Sequence, residues 1–184
     1  MTTVQNRPRP TVAELRSKLR VIPGWPKQGV NFVDITTLLK DASAFRAVVD
    51  ILTEHFSTKN IDAIVAIEAR GLILGAPIAY NLGIGFVPAR KKGKLPAEKY
   101  TVEYTLEYGA EFVEMHIDGL SAGQRVAIID DLLATGGTAE ATAKLVEKLG
   151  GVVAGFGFLI QLDFLQGKDR IKKYDILSLV HFDE

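Results

Sequence analysis

An α/β domain, with helices flanking a mainly parallel sheet, is the fold class this sequence predicts, and three observations carry the expectation. Ile61 to Ile67 and Val152 to Leu162 are near-continuous apolar runs, as in parallel strands covered on both faces. Twice such a strand ends in a polar turn that opens a helix: Glu68-Ala69-Arg70-Gly71 follows the first, and Asp130-Asp131-Leu132-Leu133-Ala134-Thr135-Gly136-Gly137-Thr138 follows Val126 to Ile129. A chain of 184 residues buries roughly 70 per cent of its unfolded surface in one core. The expected organisation is therefore a flexible tail over 1–10 and a single domain over 11–184.

Taken in order, Thr11 or a neighbour caps a short helix with Val12, Leu15 and Leu19 as its apolar stripe, ending before Pro23-Gly24. Trp25 to Thr36 carries turn residues ahead of an apolar segment too irregular for a core strand, and reads as a shaped loop. Phe32 within it either anchors the loop or offers an aromatic face. Phe45, Val48, Val49, Leu52 and Phe56 repeat at helical spacing over Ser43 to Phe56. His55 beside them has no triad partner nearby in sequence.

After the strand ending at Ile67, Arg70 stands at the start of a helix over Leu72 to Tyr80. Its fork of donors suits a phosphate, and a local pair with Glu68 is the alternative. A third strand, Gly85 to Ala89, leads into Arg90-Lys91-Lys92-Gly93-Lys94-Leu95-Pro96, a concentrated basic run that is either a solvated loop or an anion contact placed by the strand. Tyr100 to Tyr108 and Glu111 to Ile117 alternate as two short strands of a hairpin. Gly119-Leu120-Ser121-Ala122-Gly123 matches a nucleophile elbow in letters only, because it precedes a strand instead of following one.

The stretch from Val126 to Thr138 organises the rest. A buried strand, an acid pair and a Thr-Gly-Gly-Thr turn before a helix make the geometry of an anion site, with N–H groups and the positive helix end facing a ligand. Gly137 stands where a Walker A loop needs Lys, and the dinucleotide fingerprint G-x-G-x-x-G is missing. Asp130 and Asp131 cannot both be buried without partners, and ribose hydroxyls or a hydrated cation would satisfy them. The motif thus suggests a sugar phosphate. Leu145, Val146 and Leu149 line the inner side of the helix that follows, which Gly150-Gly151 terminates. The strand Val152 to Leu162 and a last strand around Ile176 to Val180 complete the sheet.

Composition bounds the alternatives. Twenty-two basic and twenty-two acidic residues give zero formal charge, so there is no global footprint for nucleic acid or an anionic membrane. There is no Cys, and His55, His116 and His181 are scattered, so neither a disulfide nor a structural zinc site is expected. Arg7-Pro8-Arg9-Pro10 lies in a start without the apolar core of a signal peptide, and no apolar run reaches transmembrane length. A soluble cytoplasmic protein is expected.

The Asp130 to Thr138 stretch resembles the phosphoribosyl-pyrophosphate (PRPP) motif of the type I phosphoribosyltransferases, and within them it is most similar to the branch that takes adenine. The resemblance extends to Arg90-Lys91-x-Gly93-Lys94-Leu95-Pro96 and to Leu106-Glu107-Tyr108-Gly109. It implies that fold with a small hood, and transfer of the 5-phosphoribosyl group from PRPP to adenine, giving AMP and pyrophosphate. Mg2+ is implied, bound mainly through PRPP and pyrophosphate, with no dedicated protein metal ligands. Asp130 and Asp131 are then implied for the ribose hydroxyls, and Ala134, Thr135, Gly136, Gly137 and Thr138 for the 5-phosphate. Arg70, with Arg90, Lys91 and Lys94 of a loop that closes on PRPP, is implied for the leaving group, and Tyr108 for PRPP or AMP. A non-proline cis peptide is implied near Glu68-Ala69. For the base, Phe32 is implied as the stacking residue, Asn31 and Val33 as backbone contacts, and Leu162 as the opposite face. Glu107 is the implied acid/base residue; a solvent-facing strand carboxylate is the alternative reading of its position. Two departures stand out: Gln161 where the family commonly has Glu, and Val33 where it has Arg. A homodimer is implied, with a loop residue such as Arg90 reaching across. A regulator that binds PRPP without turnover would need a basic DNA-binding module that this chain does not supply, and another purine base is the competing substrate.

Overall fold

The structure is a computed structural model that describes residues 8–106 and 109–183. The chain divides into two compact units, Met1–Ile51 and Leu52–Glu184.

In the first unit, α1 (Val12–Ser17) starts with a capping box: the Glu14 amide donates to Thr11 Oγ1 at 3.3 Å and the Thr11 amide donates to the Glu14 carboxylate at 2.7 Å, satisfying two donors that a helix start leaves orphaned. The expected apolar stripe is narrower than its spacing implies, for Leu15 is buried while Val12 is 53% exposed. Residues 20–34 correct the loop expectation. β1 (Arg20–Pro23) and β2 (Asn31–Asp34) pair antiparallel, with Arg20 opposite Asp34 and Val21 opposite Val33. Four residues per strand are too few to show alternation, and cross-strand contacts supply the stability instead. The Asp34 carboxylate accepts from the Thr36 amide at 2.8 Å at the start of α2 (Thr36–Leu39) and pairs with the Arg20 guanidinium. The Thr36 amide, then Arg20, holds the Asp34 carboxyl down to about 2. Phe32 packs edge-on against Trp25, centroids 4.4 Å apart. The last helix to begin in this unit, α3 (Ala42–Ser57), continues into the second.

The second unit is built on seven strands in the order β5-β6-β4-β3-β7-β8-β9. These are β3 (Ala63–Ile67), β4 (Gly85–Lys91), β5 (Lys99–Leu106), β6 (Gly109–His116), β7 (Arg125–Leu133), β8 (Val152–Leu162) and β9 (Ile176–Phe182). β4, β3, β7, β8 and β9 run parallel, while the β5–β6 hairpin adds antiparallel strands beside β4. α4 (Gly71–Leu82) and α5 (Gly137–Lys148) are the crossovers. The apolar runs are explained by burial on both faces: Ala63, Val65, Ile67, Val126 and Ile128 join a core with Ala139, Ala143 and Val146 of α5, whereas a Cβ on Gly75 of α4 would touch Ala66 and Ile64. Each fully buried Ile or Val contributes about 1.5–3 kcal/mol of transfer free energy. Two short 3-10 helices, Asp163–Leu165 and Gly167–Ile171, fill the β8–β9 connection and were not expected from the sequence. No helix among the described residues is long and apolar enough to cross a membrane.

Candidate active site at the carboxyl edge of the sheet

β3 and β7 are neighbours, but the chain leaves β3 towards β4 on one side and β7 towards β8 on the other. Such a reversal of strand order opens a crevice at the carboxyl ends, the usual ligand position in open α/β sheets. The turn 68–70 after β3 and the turn 134–136 after β7 both open there. The peptide between Glu68 and Ala69 is cis, where the resemblance implies one.

The acid pair lies inside β7, not beyond it, since the strand continues to Leu133 and pairs Asp130 with Phe158 of β8. Pairing with β3 stops at Ile129, and parallel pairing with β8 alone carries the backbone past the two charges. Asp131 is buried, and its carboxylate receives the Arg70 Nε–H at 2.5 Å. The local Glu68–Arg70 alternative is thereby replaced, because Glu68 is engaged elsewhere. Asp130 Oδ1 accepts from the Asp131 amide at 2.8 Å. A Cβ on Gly71 would lie 2.7 Å from the Ile129 carbonyl oxygen and 2.9 Å from Asp130 Oδ1, so α4 begins directly against the pair. Burial, then the neighbouring Asp131 carboxylate, pushes the Asp130 carboxyl well above its usual range. The folded chain therefore holds a proton on Asp130 at pH values where the unfolded chain has lost it. Stability falls as pH rises from the ordinary carboxylate range towards the raised value. Asp130→Asn is expected to remove that loss: the variant melts above the parent at pH 7 and the two converge below the carboxylate range, read from Tm against pH. Parallel profiles would show that Asp130 ionises normally.

Beside the pair, a cavity of about 100 Å³ is lined by Asp130, Leu132, Leu133, Ala134, Thr135, Gly136, Gly137, Thr138 and Ala139. At the ~30 Å³ a water molecule occupies in the liquid, it suits a small anion more than a purine. Gly136 holds the left-handed conformation, φ 79°, and α5 starts at Gly137 with no side-chain cap, so amide donors at the helix start are left for a ligand.

The basic run is more ordered than a solvated loop. Arg90 and Lys91 belong to β4, opposite Glu114 and Val113 of β6, instead of starting a loop. Hydrogen bonding to β6 extends the strand beyond its apolar residues. Arg90 grips Glu68 of the same chain with Nε and one terminal nitrogen at 2.9 and 3.2 Å, and the Lys91 amide donates to the same carboxylate at 3.0 Å. The Arg90 contact is the main reason the Glu68 carboxyl lies below its usual range. Lys94 stands exposed in the following turn, its amide donating to the Lys91 carbonyl at 3.2 Å.

Asn31, Phe32 and Val33 belong to the first unit, where they are exposed, half-buried and buried respectively. Leu162, buried, ends β8 in the second. Gln161 is buried and engaged at both ends: its carbonyl accepts from Ser178 Oγ at 2.8 Å and its amide donates to Asp163, whose other oxygen lies 2.9 Å from His181 Nδ1. Glu107 and Tyr108 lie outside the described residues. Among those described, no group of three or more His, Cys, Asp and Glu side chains gathers as a metal site. Sequence reasoning missed Gly167, whose backbone lies against the turn 134–136; its one signal was a glycine after Gln166 in a connection with no regular periodicity.

Residues 34–182 match the Phosphoribosyl transferase domain family. A relative from Alkaliphilus oremlandii, named adenine phosphoribosyltransferase, is 56% identical over 170 residues, 92% of this chain and 99% of its own. The crystal structure of adenine phosphoribosyltransferase from Thermoanaerobacter pseudethanolicus superposes with a TM-score of 0.91 at 52% identity, covering 94% of this chain and all of that one. The Saccharomyces cerevisiae enzyme, solved with an imino-altritol bisphosphate and adenine, gives 0.86 at 36% identity over 92% of this chain and 98% of its own.

Proposed function

Given that this chain belongs to the phosphoribosyltransferase family, and as a purine-salvage enzyme converts adenine and PRPP into AMP and pyrophosphate, we propose that the crevice between β3 and β7 carries the reaction. The observation behind this is the meeting of Arg70 with the buried Asp131, beside the cavity lined by Asp130 and the 134–138 turn.

Ala134 to Thr138 hold the 5-phosphate through backbone donors, and Asp130 and Asp131 accept from the ribose hydroxyls. Arg70, Lys91 and Lys94 face the pyrophosphate; Arg90 orders that edge through Glu68. As the C1–O bond to pyrophosphate breaks, its electron pair leaves with the diphosphate, and the N9 lone pair of adenine closes on C1. The N9 proton passes to Glu107, and Tyr108 supports bound PRPP. For the base, the family resemblance assigns Phe32 to stacking and Asn31 and Val33 to backbone contacts with its edge, and it assigns Leu162 to base contact as well. Mg2+ fits this donor set as a cation that arrives on the substrate: the acid pair is committed to Arg70 and the ribose, and the pyrophosphate oxygens would hold the ion. It supplies charge neutralisation on the leaving group. Residues 11–184 act as one cytoplasmic catalytic domain.

Arg70→Ala tests the crevice. Losing a charge-assisted contact is expected to weaken pyrophosphate binding by about tenfold or more, with the KM for adenine unchanged. Asp131→Asn, which leaves the guanidinium in place, separates this from loss of the ion pair. Calorimetry showing equal pyrophosphate affinity in folded Arg70→Ala would move the leaving group elsewhere. We further propose a homodimer, supported by Ile73 and Tyr80 exposed on α4 and Phe86 exposed on β4. Ile73 and Tyr80 stand seven residues apart, two turns along one helix, and exposed apolar groups of this kind are what a second copy would cover. Sedimentation velocity at assay concentration should show a dimer, and an active species sedimenting only as monomer overturns it.

A further inference from the structure

The β8–β9 connection touches the 134–138 turn backbone to backbone. A Cβ built on Gly167 would lie 2.0 Å from the Ala134 carbonyl oxygen, 2.7 Å from the Gly136 nitrogen and 2.8 Å from the Thr135 carbonyl carbon. Reciprocally, a Cβ on Gly136 would lie 2.3 Å from the Gly167 carbonyl oxygen. The nearest atoms that either Cβ would meet are all backbone and cannot swing aside to absorb an added methyl group. The connection is held at two further points: Ile171 is fully buried, and Arg170 lies 3.3 Å from the carboxylate of Glu140 in the first turn of α5. Gln166 enters this contact with φ 52°, a conformation a non-glycine residue keeps only when its surroundings impose it.

We infer that Gly167 is a positioning residue for the 5-phosphate of the substrate. It acts through the turn and not on the ligand: its backbone braces Ala134 to Gly136 and so sets where the amides of that turn point. Backbone donors recognise an anion only when pre-aimed, and a displacement of about 1 Å costs up to about 10²-fold. The inference rests on the assignment of Ala134 to Thr138 to the 5-phosphate. It adds that this half of the substrate, but not the pyrophosphate half, depends on a segment beyond β8.

The test is calorimetry with ribose 5-phosphate and with pyrophosphate as separate probes, beside steady-state KM values for PRPP and adenine. Gly167→Ala should weaken ribose 5-phosphate binding by about tenfold or more and raise the KM for PRPP, with pyrophosphate affinity and the KM for adenine unchanged. Gly75→Ala is the control, since its Cβ would meet the Ala66 side chain at 2.6 Å in the core; it should lower Tm and leave both probes bound as in the parent. Should Gly167→Ala fail to fold, Arg170→Ala loosens the same segment through a partly exposed ion pair, with an expected loss of about threefold confined to ribose 5-phosphate. Unchanged ribose 5-phosphate affinity in a folded Gly167→Ala protein, or in Arg170→Ala where the first variant is unfolded, overturns the inference, as does an equal loss of both probes. A parent protein that binds PRPP but shows no ribose 5-phosphate site defeats the underlying 5-phosphate assignment instead.

Discussion

Gly136→Val is expected to abolish measurable PRPP binding while leaving a folded protein. Two independent effects act at this residue. Its φ of 79° is a left-handed conformation that costs an L-residue roughly 1–2 kcal/mol and a β-branched one more. Its Cβ would also stand 2.3 Å from the Gly167 carbonyl oxygen, which is backbone and cannot swing aside. The turn must therefore open, taking its donors away from the phosphate position, and an affinity loss of about 10²-fold or more follows from such misplacement. The core residues of β3, β7 and α5 are untouched, so the variant should keep a cooperative melt at a lower Tm. At Gly137 the backbone is already helical, so Gly137→Ala should be the milder change. Titration calorimetry with PRPP and Mg2+ decides the matter: undiminished affinity in folded Gly136→Val would remove the turn from the active site.

The contrast between those two glycines shows how far the sequence was legible. Thr-Gly-Gly-Thr after an apolar strand and an acid pair identifies an anion turn, because glycine, helix start and strand end are all local signals. Which glycine carries the left-handed residue depends on where α5 begins, and element boundaries are the least readable feature of a pattern. Parallel strands such as Val152–Leu162 were legible for a different reason: burial on both faces leaves an uninterrupted apolar run. The hairpin between Arg20 and Asp34 was not, because its stability comes from cross-strand partners fourteen residues apart and from Thr36, none of which leaves a periodic trace.

Charge partners were read least well. Arg70 has a carboxylate two positions away in Glu68, yet it binds Asp131, while Glu68 binds Arg90 and the Lys91 amide. Neighbouring strands of a parallel sheet bring residues together that a single sequence cannot pair, and each of these links joins adjacent strands of the order β4-β3-β7. Gly167 is the same problem in a harder form, since its constraint is a backbone contact with a turn from another crossover. Gln161 was legible as a departure, but its two hydrogen bonds to Ser178 and Asp163 required β9 to be placed first.

Glu107→Gln is expected to lower kcat by about 10²-fold or more with PRPP affinity unchanged, the scale of a lost general acid/base. Glu107 lies outside the described residues, between β5 and β6 in the chain, and its role follows from the chemistry of the base. Adenine must give up a proton when its nitrogen bonds to C1, and a carboxylate is the group that can take it or balance the charge that builds on the ring. Glutamine preserves size and one acceptor oxygen while removing the charge and the ability to take a proton. The acidic limb of the kcat–pH profile should disappear with the carboxylate, a change that a loop-positioning role would not produce. If Glu107 is instead a strand-surface carboxylate, the amide should move stability by less than about 0.5 kcal/mol and leave turnover near normal. A fall in PRPP affinity with kcat retained would make Glu107 a positioning residue for the basic segment. A steady-state assay across pH beside a PRPP titration separates the three, and a parental kcat in the glutamine variant would end the acid/base assignment without touching the phosphate turn or the Arg70–Asp131 contact.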